Sequence, residues 1–109
     1  MVRTHLRAFG ALDIDALLAT YSDDAEVVTP ARVFTGPAEI REFLEPLVAE
    51  FSQDGISMET ETIMIGNDTG FVVWHAESPD NVYDYAAETY FVDDGKIVSH
   101  SYAAKVTPK

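Results

Sequence analysis

The sequence predicts an α+β fold in which N-terminal helices pack against an antiparallel sheet. Helical periodicity is confined to residues 4–51, and strand-like runs separated by turn signals fill the chain after Gly55. The 109 residues are enough for one hydrophobic core and too few for two. Helices followed by strands in this order are typical of two packed layers, with the sheet covering the helices on one face.

The first helical segment is predicted between Thr4 and Tyr21. Its apolar residues recur at helical spacing: Leu6, Phe9, Leu17 and Tyr21. Gly10 is a weak point within it, and Asp13 is well placed to cap a second helical piece. The apolar face of both pieces is therefore expected to be buried.

A second, clearer helix is predicted after Gly36, because Pro37 suits the first position of a helix. Its apolar residues follow the i, i+3, i+4, i+7 pattern: Ile40, Phe43, Leu44, Leu47, Val48 and Phe51. Pro46 lies inside this segment and is expected to bend or shorten the helix.

Turn signals divide the remaining chain into four long strands. The turn signals are the stretches Asn67–Gly70, Ser78–Asn81 and Asp93–Gly95. The Asp94-Gly95 pair is the strongest of them, because glycine adopts the positive φ that a tight hairpin requires. The four strands are expected to form a meander.

The chain carries 19 acidic and 7 basic side chains, a formal net charge of −12. This charge would repel nucleic acids and anionic membranes, so neither is an expected partner. The absence of cysteine excludes disulfides, thiolate nucleophiles and cysteine-ligated zinc. No apolar run suggests a signal peptide or a membrane span, and we expect a cytoplasmic protein.

Three stretches together resemble the SnoaL-like and ketosteroid-isomerase-like branch of the nuclear transport factor two superfamily. They read "LDIDALLATYSDDAEVVTP", "FTGPAEIREFLEPL" and "ETYFVDDGKIVSHSYAA". The resemblance covers nearly the whole chain and implies that residues 1–109 form a single domain of this type. It implies a cystatin-like cone, in which a strongly curved antiparallel sheet wraps around the N-terminal helices and leaves a central pocket for a small apolar ligand. Asp23 and Asp24 then lie at the corner between helix and strand, where two neighbouring side chains point apart.

The family's catalytic positions carry different residues here. In ketosteroid isomerases, an aspartate base works with a tyrosine and a protonated aspartic acid. By the resemblance, the base position falls on Thr29, the tyrosine position on His5 and the oxyanion aspartate on Ala87, while Tyr21 matches a supporting tyrosine. A threonine hydroxyl does not abstract a carbon-bound proton at neutral pH unless another base activates it. Steroid isomerisation by the family mechanism is therefore not expected.

This chain also lacks the catalytic residues that two further mechanisms of the superfamily require. The acid/base aspartate of SnoaL-like cyclases is matched by Tyr102. The limonene epoxide hydrolase type needs an arginine between two aspartates, and no strand here offers one.

On the last predicted strand, His100, Tyr102 and Ala104 share one face, which the resemblance places inward. His100 is the best candidate for an acid/base group, because imidazole titrates near neutral pH, and Tyr21 or Tyr102 would assist it. The alternative is a core histidine that hydrogen-bonds a tyrosine and meets no substrate.

The preceding strand is predicted to turn a second set of residues inward: Tyr83, Tyr85, Ala87 and Thr89. The same alternation places Asp84 and Glu88 on the opposite, solvated face. The alternation also places four apolar residues on the outer face: Val82, Ala86, Tyr90 and Val92. Because a monomer would leave this apolar surface in water, we predict a homodimer through the outer sheet face.

Trp74 and His75 are adjacent on a strand and must face opposite sides. We expect Trp74 to form an apolar wall of the pocket and His75 to lie outside or at a subunit contact. The ligand-binding set is thus Tyr83, Tyr85 and Ala87 together with His5, Thr29 and Trp74. No metal or other cofactor is expected, because the spacing of His5, His75 and His100 brings no two onto one face.

Two functions remain open at this point. The first, which we favour, is a binding protein for a small hydrophobic molecule that lacks the family's catalytic carboxylates. The second is an isomerase- or cyclase-like enzyme acting on a polyketide, terpenoid or steroid-like substrate, with His100 as acid/base. An unpaired His100 nitrogen in a polar pocket would favour the enzyme, whereas a cavity filled by Tyr83, Tyr85 and Tyr102 would favour the binding protein.

Overall fold

The computed structural model describes residues 1–109 and contains three helices and six strands. In chain order these are α1 (Val2–Gly10), α2 (Ile14–Leu18), β1 (Tyr21–Val28), β2 (Val33–Thr35), α3 (Gly36–Phe51), β3 (Ser57–Ile65), β4 (Thr69–Glu77), β5 (Asn81–Asp93) and β6 (Lys96–Pro108). The predicted α+β class is confirmed. None of the helices is both long and apolar enough to cross a bilayer.

The two N-terminal helices form as predicted, with a break after Gly10. Asp13 caps α2, because its side chain accepts a hydrogen bond of 3.0 Å from the backbone N–H of Ala16. Tyr21 differs from the prediction, since it begins strand β1 rather than ending a helix.

Helix α3 continues through Pro46 and ends at Phe51, so the proline does not shorten it. Leu44 and Val48, on either side of Pro46, are both buried in the core. Their packing holds this turn in the helix despite the backbone hydrogen bond that proline cannot make.

The six strands form one open sheet in the order β2-β1-β6-β5-β4-β3. The antiparallel meander from β3 to β6 is confirmed, whereas β1 pairs with β6 in parallel. That parallel pair places Tyr21, the first residue of β1, opposite Ile97 near the start of β6. Asp23 and Asp24 lie exposed within β1, at an irregularity in this pairing, and do not form a site.

A bulge in β5 inverts the predicted alternation of its side chains. Tyr83 pairs with Val106 and Tyr85 pairs with Lys105, so Asp84 is an extra residue without a partner on β6. Because one inserted residue exchanges the two faces of a strand, the residues beyond it turn the other way. Those facing inward after the bulge are Ala86, Glu88 and Tyr90, and those facing outward are Tyr85, Ala87 and Thr89.

The set of residues predicted for the outer, dimer-forming face of the sheet is therefore wrong. Ala86 and Tyr90 are buried in the core rather than placed outside. The large apolar residues exposed on the outer side of the sheet include Met64, Phe71, Tyr85 and Phe91. The homodimer itself stays a prediction.

Gly70 on β4 lies directly against the side chain of Val2 on α1. A Cβ atom at this position would lie 2.7 Å from Cγ2 of Val2, whose side chain is buried. We expect Gly70→Ala to lower the free energy of unfolding by about 1–3 kcal/mol, because the core must shift to admit the methyl group. Urea unfolding followed by circular dichroism measures this change.

Gly10→Ala is the matched control, since a Cβ atom there meets nothing within 4 Å. In a Val2→Ala background, the Gly70→Ala substitution should cost less than it does in the native chain, which a double-mutant cycle would detect. An unchanged unfolding midpoint in Gly70→Ala would contradict this account of the packing.

Candidate functional site

A cavity of about 290 Å³ lies between helices α1 and α3 and the inner face of the sheet. Its wall is mainly apolar, since 11 of its 16 lining residues are hydrophobic. The side chains that bring ionisable groups to it are His5, Glu88, Tyr90, His100 and Tyr102. A few polar groups in a mainly apolar cavity are typical of small-molecule sites.

The centre of this polar group is a hydrogen-bonded pair formed by Glu88 and His100. They lie on the neighbouring strands β5 and β6, and Nε2 of His100 is 2.8 Å from Oε1 of Glu88. The indole N–H of Trp74, on β4, donates to the other carboxylate oxygen at 2.9 Å. Three adjacent strands therefore hold the carboxylate in one orientation.

His100 is fully buried, and both of its ring nitrogens are occupied. The Tyr21 hydroxyl lies 2.8 Å from Nδ1, and Glu88 lies at Nε2. An ionised carboxylate only accepts hydrogen bonds, so Nε2 of His100 must carry a proton. In neutral His100, Nδ1 then accepts the Tyr21 hydroxyl proton.

Glu88 remains charged despite its surroundings. Burial alone would raise its pKa, but the hydrogen bond and the positive charge that His100 can supply, with the bond from Trp74, hold the pKa below its ordinary value. Its side chain keeps 12% exposure and lines the cavity. The cavity wall therefore presents an ionised carboxylate at neutral pH.

His5 contributes a neutral acceptor. Thr20 donates its hydroxyl proton to the carbonyl of Leu17 at 2.6 Å, so it accepts the Nδ1–H of His5 at 2.9 Å. Burial, and then the nearby charge of His100, lower the pKa of His5 to about 3. Nε2 of His5 thus has a free lone pair, and this nitrogen makes no hydrogen bond within the protein.

Two tyrosine hydroxyls keep their protons at this cavity. Burial, followed by the charge of Glu88, raises the pKa of both Tyr90 and Tyr102. The Tyr102 hydroxyl makes no hydrogen bond within the protein, and Tyr102 lies directly opposite Glu88 in the pairing of β5 with β6. Tyr102 is therefore available to donate to an oxygen atom of a bound molecule.

Trp74 and His75 lie as expected from the sequence. Trp74 is buried and lines the cavity. His75 lies on the outer face, where its two ring nitrogens are 2.9 Å from Glu61 and 3.1 Å from Glu59.

Four predicted members of the ligand-binding set lie away from the cavity, and their placement was wrong. Tyr85 is 48% exposed on the outer face and Ala87 shares that face, because the bulge at Asp84 turns them outward. Tyr83 is buried, but its hydroxyl donates to Glu50 at 2.6 Å rather than lining the cavity. The hydroxyl of Thr29 is used in a turn, where it donates to the carbonyl of Arg32 at 2.8 Å.

Glu88 and Tyr90 are the ionisable pocket residues that the sequence prediction missed. No glycine or proline marks the bulge between Tyr83 and Ala86, so strict alternation assigned both residues to the wrong face. The alternating set that contains Ala86 and Tyr90 also carries Asp84 and Glu88, so the sequence pattern gave no signal that this set faces inward.

The model of the SnoaL-like domain family matches residues 2–100. The chain belongs to this family, as its resemblance predicted. None of the curated proteins matches it in sequence.

Several solved structures share the fold of the chain. One is SalBIII, an epoxide hydrolase/cyclase-like enzyme with a role in pyran ring formation in the polyether salinomycin. Its TM-score is 0.79 at 18% sequence identity, and the match covers 99% of this chain and 92% of SalBIII. A candidate ketosteroid isomerase from Kribbella flavida has a TM-score of 0.75 at 13% sequence identity. The match covers 95% of this chain and 74% of that protein. A candidate polyketide cyclase from Sinorhizobium meliloti has a TM-score of 0.72 at 18% sequence identity. The match covers 93% of this chain and 91% of that protein. These likenesses show that the chain shares the α+β cone fold of these proteins.

Proposed function

We propose that the protein is a proton-transfer enzyme of the isomerase or cyclase type, acting on a small, mainly apolar molecule that carries a carbonyl group. The observation that supports this most directly is the ionised carboxylate of Glu88 on the wall of an apolar cavity. Glu88 is the general base and Tyr102 is the hydrogen-bond donor to the carbonyl oxygen.

The proposed reaction moves one proton and leaves the substrate's composition unchanged. A Glu88 oxygen takes a proton from the carbon next to the carbonyl, and the electron pair of that C–H bond moves to the carbonyl oxygen as an enolate. The Tyr102 hydroxyl donates to this oxygen and stabilises its charge, because a donor aimed at developing charge lowers the barrier. Glu88 then returns the proton to a different carbon. In the cyclase version, the enolate carbon adds to a second carbonyl carbon of the same substrate, the π bond of that carbonyl breaks, and Glu88 returns the proton to the resulting alkoxide oxygen.

This proposal departs from the function favoured by the sequence. The binding protein was preferred because the matching family positions lack a carboxylate, yet Glu88 brings one to the cavity from a position assigned to the outer face. His100 was the expected acid/base, but both of its nitrogens are bonded within the protein. His100 is therefore a positioning residue, which orients Glu88 and lowers its pKa.

The binding-protein alternative has one observation in its favour. Each oxygen of Glu88 already accepts a hydrogen bond, and its lowered pKa makes it a weaker base than an ordinary glutamate. A carboxylate in this state could serve to anchor a hydroxyl group of a ligand instead of removing a proton.

A bicyclic β,γ-unsaturated ketone distinguishes the two functions. Base removal of its α-proton and return at the γ-carbon produce a conjugated enone with strong ultraviolet absorption. Turnover above buffer supports the enzyme. Binding without turnover, detected by the fluorescence of the single tryptophan, Trp74, supports the binding protein.

His100 should set the pH dependence of this turnover. In His100→Phe, burial of Glu88 is no longer offset by the hydrogen bond and charge of the imidazole, so the pKa of Glu88 should rise. Since the base must be ionised, the acidic limb of the profile of kcat/KM against pH should move to higher pH.

His100→Gln retains an N–H donor and should move the profile less than His100→Phe does. A profile that stays in place in both variants, with folding confirmed by circular dichroism, would contradict the positioning role.

A further inference from the structure

A second depression opens beside the main cavity, at the surface of α1. It has a volume of about 290 Å³ and is lined by Arg3, Leu6, Arg7 and Ile63. Leu6 and Ile63 also line the main cavity. The two spaces therefore adjoin at Leu6 and Ile63, and the arginines lie beside the main cavity.

Arg3 and Arg7 carry no carboxylate partner, although the chain has 19 acidic residues and a net charge of −12. The other two arginines are each paired twice. Arg32 contacts Glu39 and Glu42, and Arg41 contacts Asp15 and Glu45.

Helix α1 adds no negative side chain beside these arginines, because none of its residues is acidic. The positive end of the helix dipole lies near Arg3, while Arg7 belongs to the last turn. Arg7 makes only a 3.5 Å contact with the hydroxyl of Thr4. Two guanidinium groups one helical turn apart thus face solvent, and no carboxylate accepts a hydrogen bond from either of them.

We propose that the ligand of this protein carries an anionic end, a carboxylate or a phosphate, that binds Arg3 and Arg7 while its apolar body fills the main cavity. Guanidinium groups match both anions, because their parallel N–H donors contact two oxygens at once. The ionised Glu88 repels an anion from the interior of the cavity, so the anionic end is held at the rim and the apolar body enters first. The inference rests on the proposed function in placing the substrate in the same cavity, and it adds the class of substrate.

Equilibrium binding tests this inference without any turnover. The probes are 6-phenylhexan-1-ol, 6-phenylhexanoate and 6-phenylhexyl phosphate, which share one apolar body and differ at the end group. Trp74 lines the cavity and is the only tryptophan, so its fluorescence reports occupancy. At low salt we expect at least one anion to bind about tenfold more tightly than the alcohol.

The double variant Arg3→Gln/Arg7→Gln should remove this preference and leave the affinity for the alcohol unchanged. Arg41→Gln is the matched control, because it also removes one positive charge but lies outside the depression lined by Arg3 and Arg7. It should preserve the preference for the anions. Added salt should weaken binding of the anions selectively, since the arginines are exposed. A tighter carboxylate identifies a carboxylic acid as the ligand class, and a tighter phosphate identifies a phosphate ester.

Equal affinity of the native protein for all three probes would overturn the inference. Retention of the anion preference in the double variant, or an equal loss in Arg41→Gln, would do the same. Because binding is measured directly, a protein that shows the preference but no turnover would refute the proposed enzyme while leaving the ligand class established.

Discussion

Replacing Glu88 by glutamine is expected to lower turnover of the β,γ-unsaturated ketone by about 10²- to 10⁴-fold, the usual contribution of general acid–base catalysis. Glutamine has nearly the same shape as glutamate but cannot take up a proton at neutral pH. The loss should appear in kcat, because the base acts on bound substrate, while binding measured by Trp74 fluorescence changes little.

The surroundings of Glu88 can accommodate this change. The glutamine carbonyl oxygen can still accept from the indole N–H of Trp74. Its amide N–H can donate to Nε2 of His100 if the imidazole proton moves to Nδ1 and donates to the oxygen of Tyr21. The variant is thus expected to fold, which separates lost chemistry from lost structure.

Glu61→Gln is the matched control. Glu61 also lies beside a histidine, His75, but on the exposed outer face. Its replacement should leave turnover unchanged. If Glu88→Gln retained more than about a tenth of the native rate, the base would have to be another group and the proposed mechanism would be wrong.

Acidification should destabilise the protein strongly, and His5 should be the first cause. In the unfolded chain, His5 has a pKa near its ordinary value of 6.5, while in the fold the pKa is about 3. Between these values the unfolded state binds more protons, so the free energy of unfolding falls as pH falls from about 6.5 towards 3, by up to about 1.4 kcal/mol per pH unit.

Glu88 adds a loss of the same sign at lower pH. Its pKa in the fold lies below the ordinary value of 4.5, so its contribution is present above that value and is lost as pH falls through the folded pKa. The interval between about pH 6.5 and 5 therefore isolates His5 from the carboxylates.

Urea unfolding at a series of pH values in this interval measures the slope. In His5→Gln, the amide can still donate to Thr20 but no imidazole titrates, so the slope should flatten. His75→Gln is the matched control for the loss of an imidazole, because it removes a histidine from the exposed outer face. Equal slopes in the native protein and in His5→Gln would contradict the buried, neutral state assigned to His5.

The local chemistry of the chain was readable from the sequence. The cap at Asp13, the start of α3 at Gly36-Pro37 and the hairpin at Asp94-Gly95 depend on contacts between near neighbours, and all three form as predicted. The inward orientation of Trp74 could also be predicted, because the alternation of β4 is regular at that point. The resemblance to the SnoaL-like family then supplied the cone fold.

The composition of the pocket depended on tertiary structure. Asp84 is inserted into β5 without any glycine or proline to mark it, and this one residue moves Glu88 and Tyr90 inward and Tyr85 and Ala87 outward. Strand alternation has a period of two residues, so an undetected insertion inverts every assignment beyond it.

The pairing of Tyr21 with His100 shows the same limit over a longer distance. The two residues are 79 positions apart and meet because β1 lies parallel to β6, a pairing that no local pattern specifies. The sequence by itself determined the helical segments, the four strands after Gly55 and which residues have acid/base chemistry. Only the tertiary structure decided which of them share the cavity, because that depends on register and strand order, and these are set by the packing of the whole core.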